Sequence, residues 1–182
     1  FSGSGEPTLH QDIGQVINYI KTSYPQYKVA LLSNGTLFFM PEVRSQVLKA
    51  DLIKASMDAA SGDKFVHINR PHGVLNLENI CDGLVKLRHE FKNKLIIEVF
   101  FIPGINTEDD DLKKIKSMLE KIQPDQVQLN ALDRPGTEVW VDTAEESEMK
   151  RISEYLGGAD IIKHYKTVST DNSVEMDVEH AI

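Results

Sequence analysis

Phe1-Ser2-Gly3-Ser4-Gly5-Glu6-Pro7-Thr8-Leu9-His10 decides how the rest of the chain is read. Phe1 and Ser2 read as the tail of a strand. Gly3 and Gly5 bare the backbone where that strand ends, because glycine lets another group come close to the main chain. Glu6 supplies an acid, and Pro7 suits a first helical turn. Further on, Ile13, Val16, Ile17 and Ile20 fall at i, i+3, i+4 and i+7, one stripe of an amphipathic helix. The stretch is therefore a strand–loop–helix unit with its strand end opened toward something small.

The same unit recurs along the chain. Strands are expected over 28–33, 51–57, 95–102, 125–132 and 159–162, each rich in apolar residues. Asn34-Gly35 and Pro103-Gly104 stop two of them. Pro41 opens a helix carrying Val43, Val47 and Leu48. Residues 59–76, punctuated by Gly62, Pro71 and Gly73, read as a loop. Ile80, Leu84, Leu87 and Phe91 mark the next helix. Thr107 reads as the cap of a helix with Glu108, Asp109, Asp110 and Asp111 in its first turn and Leu112, Ile115, Leu119 and Ile122 as its core stripe. Thr143 and Glu146 fit a capping box for a helix through Leu156.

Strand–helix alternation with apolar strands predicts parallel βαβ units with the helices outside. Lys54, Ser56 and Asp58 share one side of their strand, and Gln126, Gln128 and Asn130 one side of theirs. An open doubly wound sheet is apolar on both faces. A polar face instead predicts an α/β partial (βα)6 TIM-like barrel of parallel strands, lacking the first βα unit, with sites at the C-terminal strand ends. Residues 1–166 form this core. Residues 167–182, acidic and without Lys or Arg, form a linker or the start of a C-terminal element.

Composition narrows the function. A chain of 182 residues with a formal charge of −8 offers no broad nucleic-acid footprint. No apolar run reaches membrane-spanning length, so no membrane association is expected. A single cysteine forms no internal disulfide and suits a cytoplasmic protein. Cys81 sits beside a helix core stripe and reads as a buried small hydrophobe. No metal site is expected from the residues present, and no catalytic residue is assigned. The strand ends carry Gly5-Glu6, Ser33-Asn34-Gly35-Thr36, Ser56-Met57-Asp58, Pro103-Gly104-Ile105-Asn106 and Asn130 through Arg134-Pro135-Gly136. They read either as a site for a polar, nucleoside-like ligand or as βα turns rich in turn formers. His67, Asn69, Arg70 and His72 lie beside the third strand end and form either a substrate or ligand cover or a solvated loop. Lys54 is either a Schiff-base lysine of an aldolase-type barrel or half of a lumen ion pair with Asp58. Glu98 is read as facing the lumen, Trp140 as packing, and Arg134 as a substrate contact or a strand-end cap.

Gly3-Ser4-Gly5-Glu6-Pro7-Thr8, Leu32-Ser33-Asn34-Gly35-Thr36, Ala55-Ser56-Met57-Asp58-Ala59, Glu98 through Asn106 and Val127 through Pro135 occur in the order and spacing of a radical S-adenosylmethionine (SAM) core. The chain resembles the iron–sulfur oxidoreductase branch near the tRNA wyosine-synthesis enzymes, and more distantly the glycyl-radical-enzyme (pyruvate formate-lyase) activating enzymes. The resemblance implies two cofactors, S-adenosylmethionine and a [4Fe–4S] cluster. It implies cleavage of SAM to a 5′-deoxyadenosyl radical that abstracts hydrogen from a tRNA base or a glycyl radical enzyme, with electrons from flavodoxin or ferredoxin. The carbonyls of Ser4 and Gly5, with Glu6, would hold the methionine ammonium. Ser56 and Asp58 would reach the ribose hydroxyls or the carboxylate, and Ile102, Gly104, Leu129 and Asn130 the adenine. Asn34, His67, Arg70 and Arg134 are candidate substrate contacts. The family's CxxxCxxC loop would lie upstream of Gly3, so the sequence is expected to be a fragment, inactive by itself. The alternative is a non-catalytic barrel, its cluster motif naturally lost, that binds a nucleoside or a partner protein.

Overall fold

A computed structural model describes residues 1–2, 5–132, 138 and 140–162. Five strands, β1 (Ala30–Ser33), β2 (Leu52–Ser56), β3 (Lys94–Phe100), β4 (Gln126–Asn130) and β5 (Asp160–Ile161), form one sheet. They pair in chain order, and each neighbouring pair is parallel. Parallel crossovers are right-handed, so an order that never reverses puts every connecting helix on the same face. A doubly wound sheet would reverse its order. Among the described residues the result is a partial barrel in which β1 and β5 do not pair.

The open edge of β1 carries the start of the chain. Phe1 N–H bonds to the Ala30 carbonyl, and Leu32 N–H reaches the Phe1 carbonyl at 2.9 Å. Bonding to both sides of one partner residue is the parallel ladder pattern, so the opening segment runs alongside β1 as a strand tail.

The helices are α1 (Ile13–Ser23), α2 (Pro41–Val47), α3 (Gly62–Asn69), α4 (Leu77–Glu90), α5 (Asp109–Ile122) and α6 (Glu146–Tyr155), with a short 3-10 turn at Pro7–Leu9. Pro41 stands at the start of α2 as expected. Alternation along the strands divides the sheet. Leu31, Ile53, Ala55, Leu95, Ile97, Val99 and Leu129 are buried in one core with Ile17, Phe38, Leu84, Leu87, Leu112, Ile115 and Ile152 from the helices and connecting segments. Lys54, Ser56, Glu98, Gln128 and Asn130 alternate with them and remain half-buried. The polar concave face read from the sequence is present.

Three local expectations are corrected. The segment 59–76 contains α3, eight residues long, which buries Phe65. It ends where Arg70 turns left-handed, at φ 45°, ahead of Pro71. Thr107 does not cap α5. Glu108 holds that position, and the buried Thr107 hydroxyl accepts Gly104 N–H at 3.2 Å. Thr143 does not cap α6, whose first residue is Glu146 with Glu145 at the cap.

Two close contacts set the strand ends. Arg44 is buried, donates to the Phe38 and Phe39 carbonyls at 2.8 and 3.1 Å, and pairs with Glu90 at 2.9 Å. At Gly83 on α4, a Cβ would stand 2.4 Å from Phe39 N. The β1–α2 connection therefore rests directly on the α4 backbone.

Candidate functional site

Two adjoining clefts lie across the C-terminal strand ends. The first, about 430 Å³, is lined by Ser2, Gly5, Glu6, Leu32, Ser33, Asn34, Lys54, Ser56 and Glu98. The second, about 240 Å³, has a polar rim of Asn34, Thr36, Asp58, Asn69, Arg70 and His72 and an apolar floor that includes Phe65, Leu75, Leu77 and Ile80. Asn34 and Ser56 line both.

Glu6 organises the first cleft. Its Oε1 accepts Thr8 N–H at 3.0 Å, the Thr8 hydroxyl at 2.6 Å and the Ser33 hydroxyl at 2.8 Å, and Oε2 accepts Asn34 N–H at 2.7 Å. The carboxylate thus caps the 3-10 turn and fastens it to the end of β1. Asn34 then makes an Asx turn, its Oδ1 accepting Thr36 N–H at 3.0 Å and the Thr36 hydroxyl at 2.7 Å. Gly35 is required here. Its φ is 77°, and a Cβ would stand 3.0 Å from the Ser56 carbonyl oxygen.

Asp58 sits just beyond β2. Its Oδ1 accepts Phe100 N–H at 3.0 Å and its Oδ2 accepts Asn69 at 2.8 Å. Burial pushes its carboxyl above the ordinary value of 3.8; the two hydrogen bonds pull it down, and the Glu98 charge adds to the rise. Glu98 lies on the concave face, paired with Lys54 at 2.7 Å and with Asn130 Nδ2 at 3.5 Å. The partner of Lys54 is therefore Glu98, not Asp58 as expected from spacing along β2. The register explains it: Ser56 faces Glu98, and Lys54 is one pleat away on the same side.

The segment after β3 presents backbone. Ile102 is buried, and its N–H is bound by Asn106 Oδ1 at 2.8 Å. Gly104 has φ 71°, and apart from its chain neighbours no residue comes within 4 Å of where its Cβ would be. Leu129 is fully buried on the helix side of β4, so its side chain points away from the clefts. Arg70 makes a two-point ion pair with Glu138 at 2.8 Å, and the His67 ring lies 4.5 Å from that of Trp140. Trp140 Nε1 also donates to Glu138, at 3.0 Å. The end of α3 is thus tied to the segment that follows β4. Ser4 and Arg134 lie outside the described residues, as does the tail 167–182.

The sequence places Asn106 among the strand-end residues without a role of its own, and it reads α3 as loop. Asn106 bonds backward to Ile102, Phe100 and Asp58, contacts that only the folded strands create, and Ser61 ahead of Phe65 and Ile68 is a helix-start signal. That signal was masked by surrounding turn formers.

Among the described residues no three His, Cys, Asp or Glu side chains are grouped to hold a metal. Cys81 is buried in α4, where burial, with Asp82 adding to it, pushes its thiol up to about 11. That thiol is a packing group rather than a thiolate ligand. The described residues therefore do not fit an iron–sulfur cluster. Among them, no helix is long and apolar enough to cross a membrane.

The chain has relatives. It is 35% identical over 158 residues to a protein named GTPase Obg from Brachyspira hyodysenteriae, covering 86% of the chain and 23% of that protein. It is 32% identical to a UPF0026 protein of Helicobacter pylori, covering 75% of the chain and 44% of the relative. A UPF0026 protein of Synechocystis is 33% identical, with 74% of the chain and 49% of the relative covered. The chain thus spans less than half the length of each of these relatives. No family model matches it. Two solved structures share its fold. A domain of pyruvate-formate lyase-activating enzyme from Bacteroides vulgatus superposes with a TM-score of 0.68 at 17% identity, covering 89% of this chain and 95% of that one. A radical SAM methyltransferase from Sphaerobacter thermophilus gives 0.68 at 14%, covering 87% and 48%. The fold is therefore the parallel α/β partial barrel that these two structures share.

Proposed function

We propose that the paired clefts bind S-adenosylmethionine, and that this stretch is the SAM-cradling core of a radical SAM iron–sulfur oxidoreductase. The observation that carries the reading is the pair of adjoining clefts, one at Gly5 and Glu6 and one at Asp58, that share Asn34 and Ser56, on a fold shared with such enzymes. Its chemistry suits the ligand. The first cleft sets two carboxylates, Glu6 and Glu98, against one ammonium, Lys54, and so favours a ligand carrying ammonium and sulfonium charge. Gly5 and Gly104 leave backbone open to close approach. Gly5 and Glu6 would hold the methionine end, Ser56 and Asp58 the ribose or the carboxylate, and the backbone around Ile102 and Gly104 the adenine. In such enzymes a reduced [4Fe–4S] cluster would supply the one electron that cleaves SAM to methionine and a 5′-deoxyadenosyl radical for hydrogen abstraction. The described residues position the ligand and offer that cluster no ligands. For substrate, the sequence resemblance favours a tRNA base, and the likeness to an activating-enzyme domain supports a glycyl radical enzyme as the second class.

Isothermal titration of the chain with SAM and with S-adenosylhomocysteine tests the reading. Saturable heat is expected for both, lost in Ser56→Leu, which fills the junction of the clefts, and kept in Cys81→Ala. Absence of saturable binding for either ligand contradicts it.

A further inference from the structure

We propose that Asn106 is a positioning residue for ligand binding. Its buried carboxamide sets where Asp58 stands relative to the backbone of Ile102 and Gly104. The proposal rests on the SAM reading for the ligand it serves, and on geometry for the rest.

Asn106 is 1% exposed and spends its side chain entirely on backbone. Oδ1 accepts Ile102 N–H at 2.8 Å, and Nδ2 donates to the Asp58 carbonyl at 2.9 Å and the Phe100 carbonyl at 2.8 Å. These contacts fall where the sheet stops holding the chain. The β2–β3 register ends at Ser56 and Glu98, with one further bond from Met57 N–H to the Glu98 carbonyl at 2.9 Å. Beyond it, side chains join Asp58 to Phe100. The Asp58 carboxylate takes Phe100 N–H, and the Asn106 amide takes both carbonyls. Next to Asn106, the Thr107 hydroxyl holds Gly104 N–H. One amide therefore fixes the distance between the ribose side and the adenine side of the proposed site.

Asparagine suits this role in a way its neighbours in size do not. Aspartate at this position has no N–H to donate and would set a charge against two carbonyl oxygens. Leucine would leave the buried Ile102 N–H and the partly buried Asp58 and Phe100 carbonyls without these partners. Glutamine is one methylene too long for the same three contacts.

The test compares wild type with Asn106→Ala, and with Asn106→Ser where the alanine variant fails to fold. Each is titrated with adenosine, methionine and SAM, followed by amide NMR. The proposal predicts that the variant weakens adenosine and SAM roughly tenfold or more, as lost preorganisation does. Methionine, assigned to the Gly5–Glu6 end, should change by less than about twofold, since that end makes no contact with Asn106. Equal adenosine affinity in variant and wild type overturns the positioning role and leaves the SAM reading standing. Equal weakening of adenosine and methionine overturns it too, because that marks general loosening. If wild type binds none of the three, the SAM reading falls and hydrogen exchange decides the geometry. Loss of protection at Ile102 and Phe100 with Leu95 and Ile97 unchanged upholds the lock; unchanged protection at all four overturns it.

Discussion

Glu6 receives four hydrogen bonds from three residues, Thr8, Ser33 and Asn34, and so ties the chain's first loop to the end of β1. Hydrogen bonds to a charged acceptor are stronger than neutral ones, so Glu6→Ala should cost about 2 kcal/mol in a urea titration. An unchanged midpoint would show that the contacts contribute nothing net. Asp58 gives a pH signature. Its carboxyl is raised in the folded protein, first by burial, so the folded state binds the proton more tightly than the unfolded chain. Its contribution to stability therefore falls as pH rises from the ordinary carboxylate value of 3.8 toward the raised one, and stays reduced above that. Asp58→Asn should gain stability relative to wild type across that rise, read from urea midpoints at acid and neutral pH. A pH-independent difference would remove the linkage. The residue types at both positions were legible in the sequence; their partners were not, because Phe100 and Asn34 are brought near only by strand register.

Among the elements, α4 and the β1–α2 connection are set by one missing side chain. Gly83→Ala would place a Cβ 2.4 Å from Phe39 N and 2.6 Å from Phe38 C, against backbone that Arg44 also holds. The expected cost is about 3 kcal/mol, since a rigid contact yields only by moving the helix. Thermal melting measures it, and an unchanged melting temperature would mean that the helix sits elsewhere. The long amphipathic helices α1, α4 and α5 were legible because a 3.6-residue stripe over three turns leaves little choice. The eight-residue α3 was not. Its stripe reduces to Phe65 and Ile68, and Gly62, Pro71 and Gly73 give stronger turn signals than two apolar residues can offset. Thr107 was misplaced for a related reason. A threonine ahead of four acids reads as a cap, yet its hydroxyl is drawn to Gly104 by a loop that only the folded strands create.

At the scale of the molecule, the partial barrel and the two-faced sheet were readable from polar residues recurring at alternate strand positions, and the strand order 1-2-3-4-5 agrees with that reading. Those positions hold Lys54, Ser56, Glu98 and Asn130 on the side away from the helices. The ion pair of Lys54 with Glu98 rather than Asp58 is the cross-strand detail that one strand's sequence does not contain. The Arg70–Glu138 and His67–Trp140 contacts are of the same kind, joining segments 68 and 73 residues apart. The central claim is that SAM occupies the clefts formed where these strands end. Amide NMR of the chain titrated with SAM tests it most directly. The account predicts saturable shifts centred on Gly5, Glu6, Asn34, Gly35, Ser56, Asp58, Ile102 and Gly104. Shifts centred elsewhere, or none at these positions, would contradict it.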